Sequence, residues 1–178
     1  DVYKRQIHIH IAEQPKEIDE VLSWLDGRPV AWLLDNIEVD SNWCLVHATH
    51  MSEQETAALA RSGAVSGLCP ITEANLGDGI FNGPQFLAED GVFGIGSDSN
   101  IRIALAEELR ILEYSQRLRD NARNVLLTGN GSVGETLYRC SLKGGAQALG
   151  RESGAIQTGL WADLVASDSH DMAFCGLS

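Results

Sequence analysis

The 178-residue chain carries 13 Lys and Arg against 25 Asp and Glu, a formal charge of −12 that leaves no basic face to neutralise phosphates and excludes a nucleic-acid partner. Apolar residues make up 44% and charged residues 21%, the balance of a domain that buries a core and not of a disordered acidic tail. No apolar run reaches the roughly 18 residues of a membrane span and no signal core opens the chain, so no membrane partner is expected and the cytoplasm is the expected location.

The chain opens at Asp1 without an initiator Met, and DVYKRQ (1–6) is charged and patternless, so it reads as appended sequence ahead of a chain that begins inside a domain. From Ile7 to Ala12, IHIHIA alternates with period two, a strand that puts His8 and His10 on one face. Gln14-Pro15 opens a helix through Leu25, with Ile18, Val21, Leu22 and Leu25 at spacings of three and four. A short helix over Val30 to Asp35 precedes a second strand, Trp43 to Ala48. Ser52 then caps a helix through Ala60, with Glu55 at the capping-box position and Gly63 as its stop.

Ala64 to Cys69 reads as a third strand, followed by a polar loop, Pro70 to Gly83, and a short helix, Pro84 to Ala88. Val92 to Gly96 is the fourth strand. Beyond the loop SDSNIRI a strong helix runs from Leu105 to Leu118, and another from Ser132 to about Leu149. Strands alternating with helices predict a parallel α/β sheet. Four such units are half of a closed (β/α)₈ barrel, which takes ~250 residues, so a half-barrel of the TIM type is expected over residues 1–152. Ser153 to Asp168 changes to Gly-punctuated short strands, the expected onset of a small β-sandwich segment over 153–178, with SHDMAFCGLS as a frayed end. Isolated, a half-barrel exposes strand edges and an apolar flank, so aggregation or dimerisation is expected.

In a parallel barrel, functional groups gather at the carboxyl ends of the strands. His10 and Glu13 follow the first strand, His47 and His50 the second, the loop from Cys69 the third, and Asp98 the fourth. Imidazoles and carboxylates converging on one mouth are the inventory of a mononuclear metal hydrolase. Taken singly, His8 and His50 read better as hydrogen-bonded structural residues, and Asp98 as a turn cap. The cysteines, Cys44, Cys69, Cys140 and Cys175, are far apart and form no C-x-x-C pair, so they read as buried or incidental thiols. Gly129 to Gly134 fits G-x-G-x-x-G, but the preceding apolar run is short and Ser132 is explained as a helix cap, so no dinucleotide is expected.

HIHIAEQ (8–14), WCLVHATHM (43–51), SGAVSGLCPITEANLGDGIF (62–81), GIGSDSN (94–100) and EELRILEYSQRL (107–118) together resemble the amidohydrolase superfamily. Within it they resemble the N-formimidoyl-L-glutamate deiminases, to which CPITEANLGDGIF with LVHATH looks specific. The resemblance implies strands five to eight of the barrel and one zinc ion, or another divalent metal, held in part by His10 and Asp98. It implies that Glu13 shuttles protons, that His47, in preference to His50, polarises the substrate, and that Asp98 also activates the water. Glu73 and Asn75 are candidates for contacting the amidine end of the substrate, with a loop-internal hydrogen bond as the equal alternative. The implied reaction, in histidine degradation, converts N-formimidoyl-L-glutamate and water to N-formyl-L-glutamate and ammonia.

Two further ligands of the superfamily come from an H-x-H pair on strand one. His8-Ile9-His10 has that form but runs into Ala12-Glu13 of the strand-five motif. The chain thus holds two of four expected ligands, and is expected to be a C-terminal fragment, inactive alone. Another zinc aminohydrolase, acting on a purine, pyrimidine or related amidine, and a catalytically silent barrel remnant are the alternatives. A cytidine-type zinc deaminase lacks its P-C-x-x-C pair here. A small-molecule substrate is the expected partner, and a homodimer is an assembly open to the full-length enzyme.

Overall fold

A computed structural model describes residues 6–174. Most of the segment read as appended (1–5) and Cys175 lie outside the described residues, but Gln6 is tied in, its Nε2 donating to the Gln147 carbonyl at 2.6 Å. Four strands, β1 (Ile7–Ile11), β2 (Trp43–His47), β3 (Val65–Leu68) and β4 (Val92–Ile95), form one parallel sheet in the order β1-β2-β3-β4. His10 lies opposite Val46, Ile11 opposite His47, and Gly67 opposite Gly94. Helices α1 (Pro15–Leu25) and α2 (Pro29–Asn36) connect β1 to β2, and α3 (Glu53–Ser62) connects β2 to β3. Next, α4 (Pro70–Leu76) and α5 (Gly83–Ala88) lead to β4, and α6 (Leu105–Asp120) and α7 (Val133–Ala148) follow it.

Strands in sequential order with helical crossovers are the architecture of a partial (β/α)₈ barrel. A dinucleotide fold needs a reversal of strand order, and this sheet has none. Ser132 is a cap, its side chain accepting the Glu135 N–H at 3.1 Å. The core lies between the sheet and its helices, where Leu45, Leu68 and Phe93 meet Leu59, Phe86 and Leu112. No helix of the described residues is long and apolar enough to cross a membrane.

Two expectations change. The polar loop over Pro70 to Gly83 holds the helix α4, with Pro70 at its first position and Gly77 in the left-handed conformation after its end. Its first turn is completed from a distance, because buried Glu108 on α6 accepts the Ile71 N–H at 2.8 Å. In the tail, no strand forms among residues 153–174; a strand needs a hydrogen-bonding neighbour, and most of this stretch is exposed. Arg151 over the Trp161 ring, 5.1 Å to its centroid, and Trp161 N–H to the Glu152 carbonyl at 2.8 Å tether it.

Helix α7 partly answers the expectation of bare edges. The Gly96 N–H bonds Leu68 on β3, so ladder alternation turns the Phe93 carbonyl toward the free edge of β4. There α7 packs so closely that a Cβ on Gly144 would sit 1.8 Å from the Phe93 oxygen. Its C-terminal turn then reaches across to β1, where the His8 Nε2 donates to the Ala148 carbonyl at 2.8 Å. His8 is thereby a structural residue.

Candidate active site

At the carboxyl end of β1 the chain turns through Ala12 at φ 53°, and Glu17 on α1 fastens the turn by accepting the N–H groups of Ala12 (2.7 Å) and Glu13 (2.9 Å). At the end of β2, strand alternation would group His47 with Ile11 on the helix-packed side. Instead His47 and Ala48 take left-handed backbones, φ 68° and 49°, and the ring comes to lie 5.3 Å from that of His10. Asp98, after β4, has φ 48°. Such conformations cost ~1–3 kcal/mol in residues with a Cβ, and here four of them sit at strand ends where side chains must be re-aimed.

His47 is the hub. It is 1% exposed, with Nδ1 3.2 Å from Glu73 Oε1 on one side and Nε2 3.7 Å from Glu13 Oε1 and 4.0 Å from Asp98 Oδ2 on the other. Nε2 is buried without a hydrogen-bond partner among the described residues. Burial pulls the His47 pKa down, but the hydrogen bond to Glu73 and the charges of Glu13, Glu73 and Asp98 outweigh it and leave the pKa raised. The Glu13 pKa is also raised, by burial first and by Asp78 and Asp98, against the lowering effect of His47. A carboxyl biased toward its acid form is fitted to deliver a proton.

The other residues fall into place around this hub. His50 is turned away, its Nε2 donating to the Asp78 carbonyl at 2.5 Å, so of the two histidines His47 faces the cluster. Asn75 is exposed on α4, and no hydrogen bond joins it to the cluster. Asp78, absent from the sequence reading, is buried beside Glu13; Gln14 Nε2 donates to its Oδ1 at 2.9 Å, while Oδ2 has no partner. Both residues lie within the stretches HIHIAEQ and LGDGIF, but only the fold brings them together. His47, Cys69 and Glu73 have ligand atoms within 4.8 Å of one another. Glu73 Oε1, however, already accepts the Cys69 N–H at 3.0 Å, and burial, with the charges of Glu73, Asp98 and Glu108, pushes the Cys69 thiol up, so this is a hydrogen-bonded group.

The profile of the Amidohydrolase family matches residues 1–174. The chain belongs to that family. Among its amidohydrolase relatives, formimidoylglutamate deiminase of Pseudomonas aeruginosa is 55% identical over 93% of the chain, which spans 37% of that protein's length. A 5-methylthioadenosine/S-adenosylhomocysteine deaminase of Natronomonas pharaonis is 28% identical over 93% of the chain and 40% of its own. The crystal structure of an amidohydrolase from Brucella melitensis superposes with a TM-score of 0.86 at 52% identity, over 89% of this chain and 36% of that one. An adenosine deaminase from Xanthomonas campestris, solved with bound zinc, superposes with a TM-score of 0.85 at 25% identity, over 97% and 39%.

For an amidohydrolase mouth the donor set is informative. The His10 and Asp98 side chains make no hydrogen bond among the described residues, so both are free to ligate, and the unpartnered His47 Nε2 faces the same space. Imidazole and carboxylate suit zinc and related divalent ions.

Proposed function

We propose that this chain is the part of an N-formimidoyl-L-glutamate deiminase that supplies the proton-moving residues of its site. The 55% identity to the Pseudomonas deiminase over 93% of the chain carries the substrate. The convergence of Glu13 and Asp98 on His47 supports the chemistry. His10 and Asp98 are the groups that would hold a zinc ion, which supplies when bound a water acidic enough to attack near neutral pH. Asp98 takes a proton from the attacking water. His47 Nε2 faces the formimidoyl group and stabilises the charge that builds there. From the protonated formimidoyl group, whose terminal nitrogen already carries two hydrogens, Glu13, biased toward its acid form, gives that nitrogen its third; it leaves as ammonia while the adduct's remaining O–H proton returns to Glu13 and the proton on Asp98 passes to solvent. The products are N-formyl-L-glutamate and ammonia. This reading carries with it histidine degradation as the setting, the cytoplasm as the location, a homodimer as the assembly of the whole enzyme, and residues 153–174 as the approach to an accessory β segment.

The test is ammonia release from N-formimidoyl-L-glutamate by this chain joined to its native upstream half and loaded with zinc, against Asp98→Ala. Release that the variant lacks supports both substrate and metal role. Release from 5-methylthioadenosine or adenosine alone, the substrates to which the weaker relatives point, overturns the substrate and keeps the family chemistry.

A further inference from the structure

Glu73 stands on the wrong side of His47 to meet a substrate. It is 4% exposed, and it approaches the ring at Nδ1, whereas Glu13 and Asp98, with side chains 26% and 29% exposed, approach at Nε2. The two nitrogens lie on different sides of the imidazole, so the ring separates Glu73 from the mouth. We infer that Glu73 is a positioning residue that fixes His47 through Nδ1 and presents Nε2 alone to the reacting groups.

The chemistry follows from what each atom can do. The Glu73 carboxylate is itself aimed by the backbone, since Oε1 accepts the Cys69 N–H at 3.0 Å at the start of α4. An oxygen that holds a backbone N–H is an acceptor, so the His47 nitrogen 3.2 Å from it is the one bearing hydrogen. Neutral imidazole has a single N–H, and placing it on Nδ1 leaves Nε2 bare, which is the buried atom without a partner. Glu73 thereby selects the tautomer that is the minor one for free imidazole side chains, and leaves the bare nitrogen on the side facing Glu13 and Asp98. The catalytic consequence rests on the role proposed for His47, whereas the position of the proton does not.

The experiment therefore has a spectroscopic arm and a kinetic arm. In the 178-residue chain with ¹⁵N-labelled histidine, long-range ¹H–¹⁵N correlation above neutral pH reads the protonation of each ring nitrogen, with H47Q assigning the signals. A protonated Nδ1 on His47 supports the inference; a bare Nδ1 overturns it, and this reading needs no variant to fold. E73Q, whose amide oxygen still accepts, is expected to keep the wild-type tautomer. E73L, with a native-like amide spectrum, is expected to move the proton to Nε2, and retention of the wild-type pattern overturns the inference. In the zinc-loaded enzyme completed by its upstream half, E73L is expected to lower kcat at least tenfold with KM within twofold, E73Q restoring most of it. A raised KM with kcat held marks Glu73 as a substrate contact and overturns the inference. Absence of turnover in the wild type overturns the proposed function alone, since the tautomer is read without substrate.

Discussion

A single buried carboxylate ties three segments of this chain together. Glu55 completes the capping box of α3, accepting the Ser52 N–H at 2.7 Å, and also accepts the Ala31 N–H in the first turn of α2 (3.1 Å) and Arg28 Nε (2.6 Å). Burial alone would raise its pKa, but these bonds outweigh it and leave the pKa lowered from 4.5. The stability it contributes is therefore present above about pH 4.5 and is lost as pH falls through the lower folded value. Urea denaturation of wild type and Glu55→Gln from pH 7 to 3 checks this: the difference between them is expected to shrink on acidification, and a constant difference would count against it. At the site, His47→Asn in the completed, zinc-loaded enzyme is expected to lower kcat by on the order of 10²–10⁴-fold, read by steady-state ammonia release.

At the scale of elements, two adjacent glycines in α7 make opposite predictions. A Cβ on Gly144 meets the Phe93 carbonyl at 1.8 Å, with nothing flexible to yield, whereas one on Gly145 meets nothing within 4 Å. Gly144→Ala is expected to destabilise by about 1–3 kcal/mol or more, through displacement of α7 from β4. Gly145→Ala is expected to stabilise by about 0.5–1 kcal/mol, the helical cost of glycine against alanine. Chemical denaturation of both variants checks the pair, and equal effects would sink the account of α7 as edge cover. Ser52→Ala, which removes a cap the sequence already announced, is expected to cost about 1 kcal/mol by the same measurement. The element the sequence reading passed over, α4, had its signals in Pro70 and Gly77, yet seven residues without a helical apolar period do not announce a helix. Its Ile71 N–H is satisfied by Glu108, 37 residues away, and no local rule anticipates that partner.

For the molecule as a whole, the sheet has two margins and α7 covers one. On the far side of β1 no strand pairs among the described residues. A chain ended at Gly131 loses α7 and bares the β4 edge as well, so it is expected to form more high-mass species than the whole chain, in light scattering after size exclusion. A truncated chain no more aggregated than the whole one would show that α7 does not protect that edge.

Much of this architecture is written locally. A period-two run gave the first strand and short runs between helices the others, caps such as Ser52 and Gly63 bounded the helices, and alternation of the two implied a parallel sheet, because each of these follows from backbone geometry within a few residues. The convergence of His10, Glu13, His47 and Asp98 was legible in the same way, since a parallel sheet gathers its carboxyl ends. The sequence could not say which face His47 would take, because the left-handed backbone at the end of β2 overrides the strand's alternation. Nor could it place Glu73 behind the ring, Asp78 beside Glu13, or α7 along β4. Those depend on contacts between residues 26 to 65 positions apart or on whole elements meeting, and only the packed chain decides which buried polar atoms find partners.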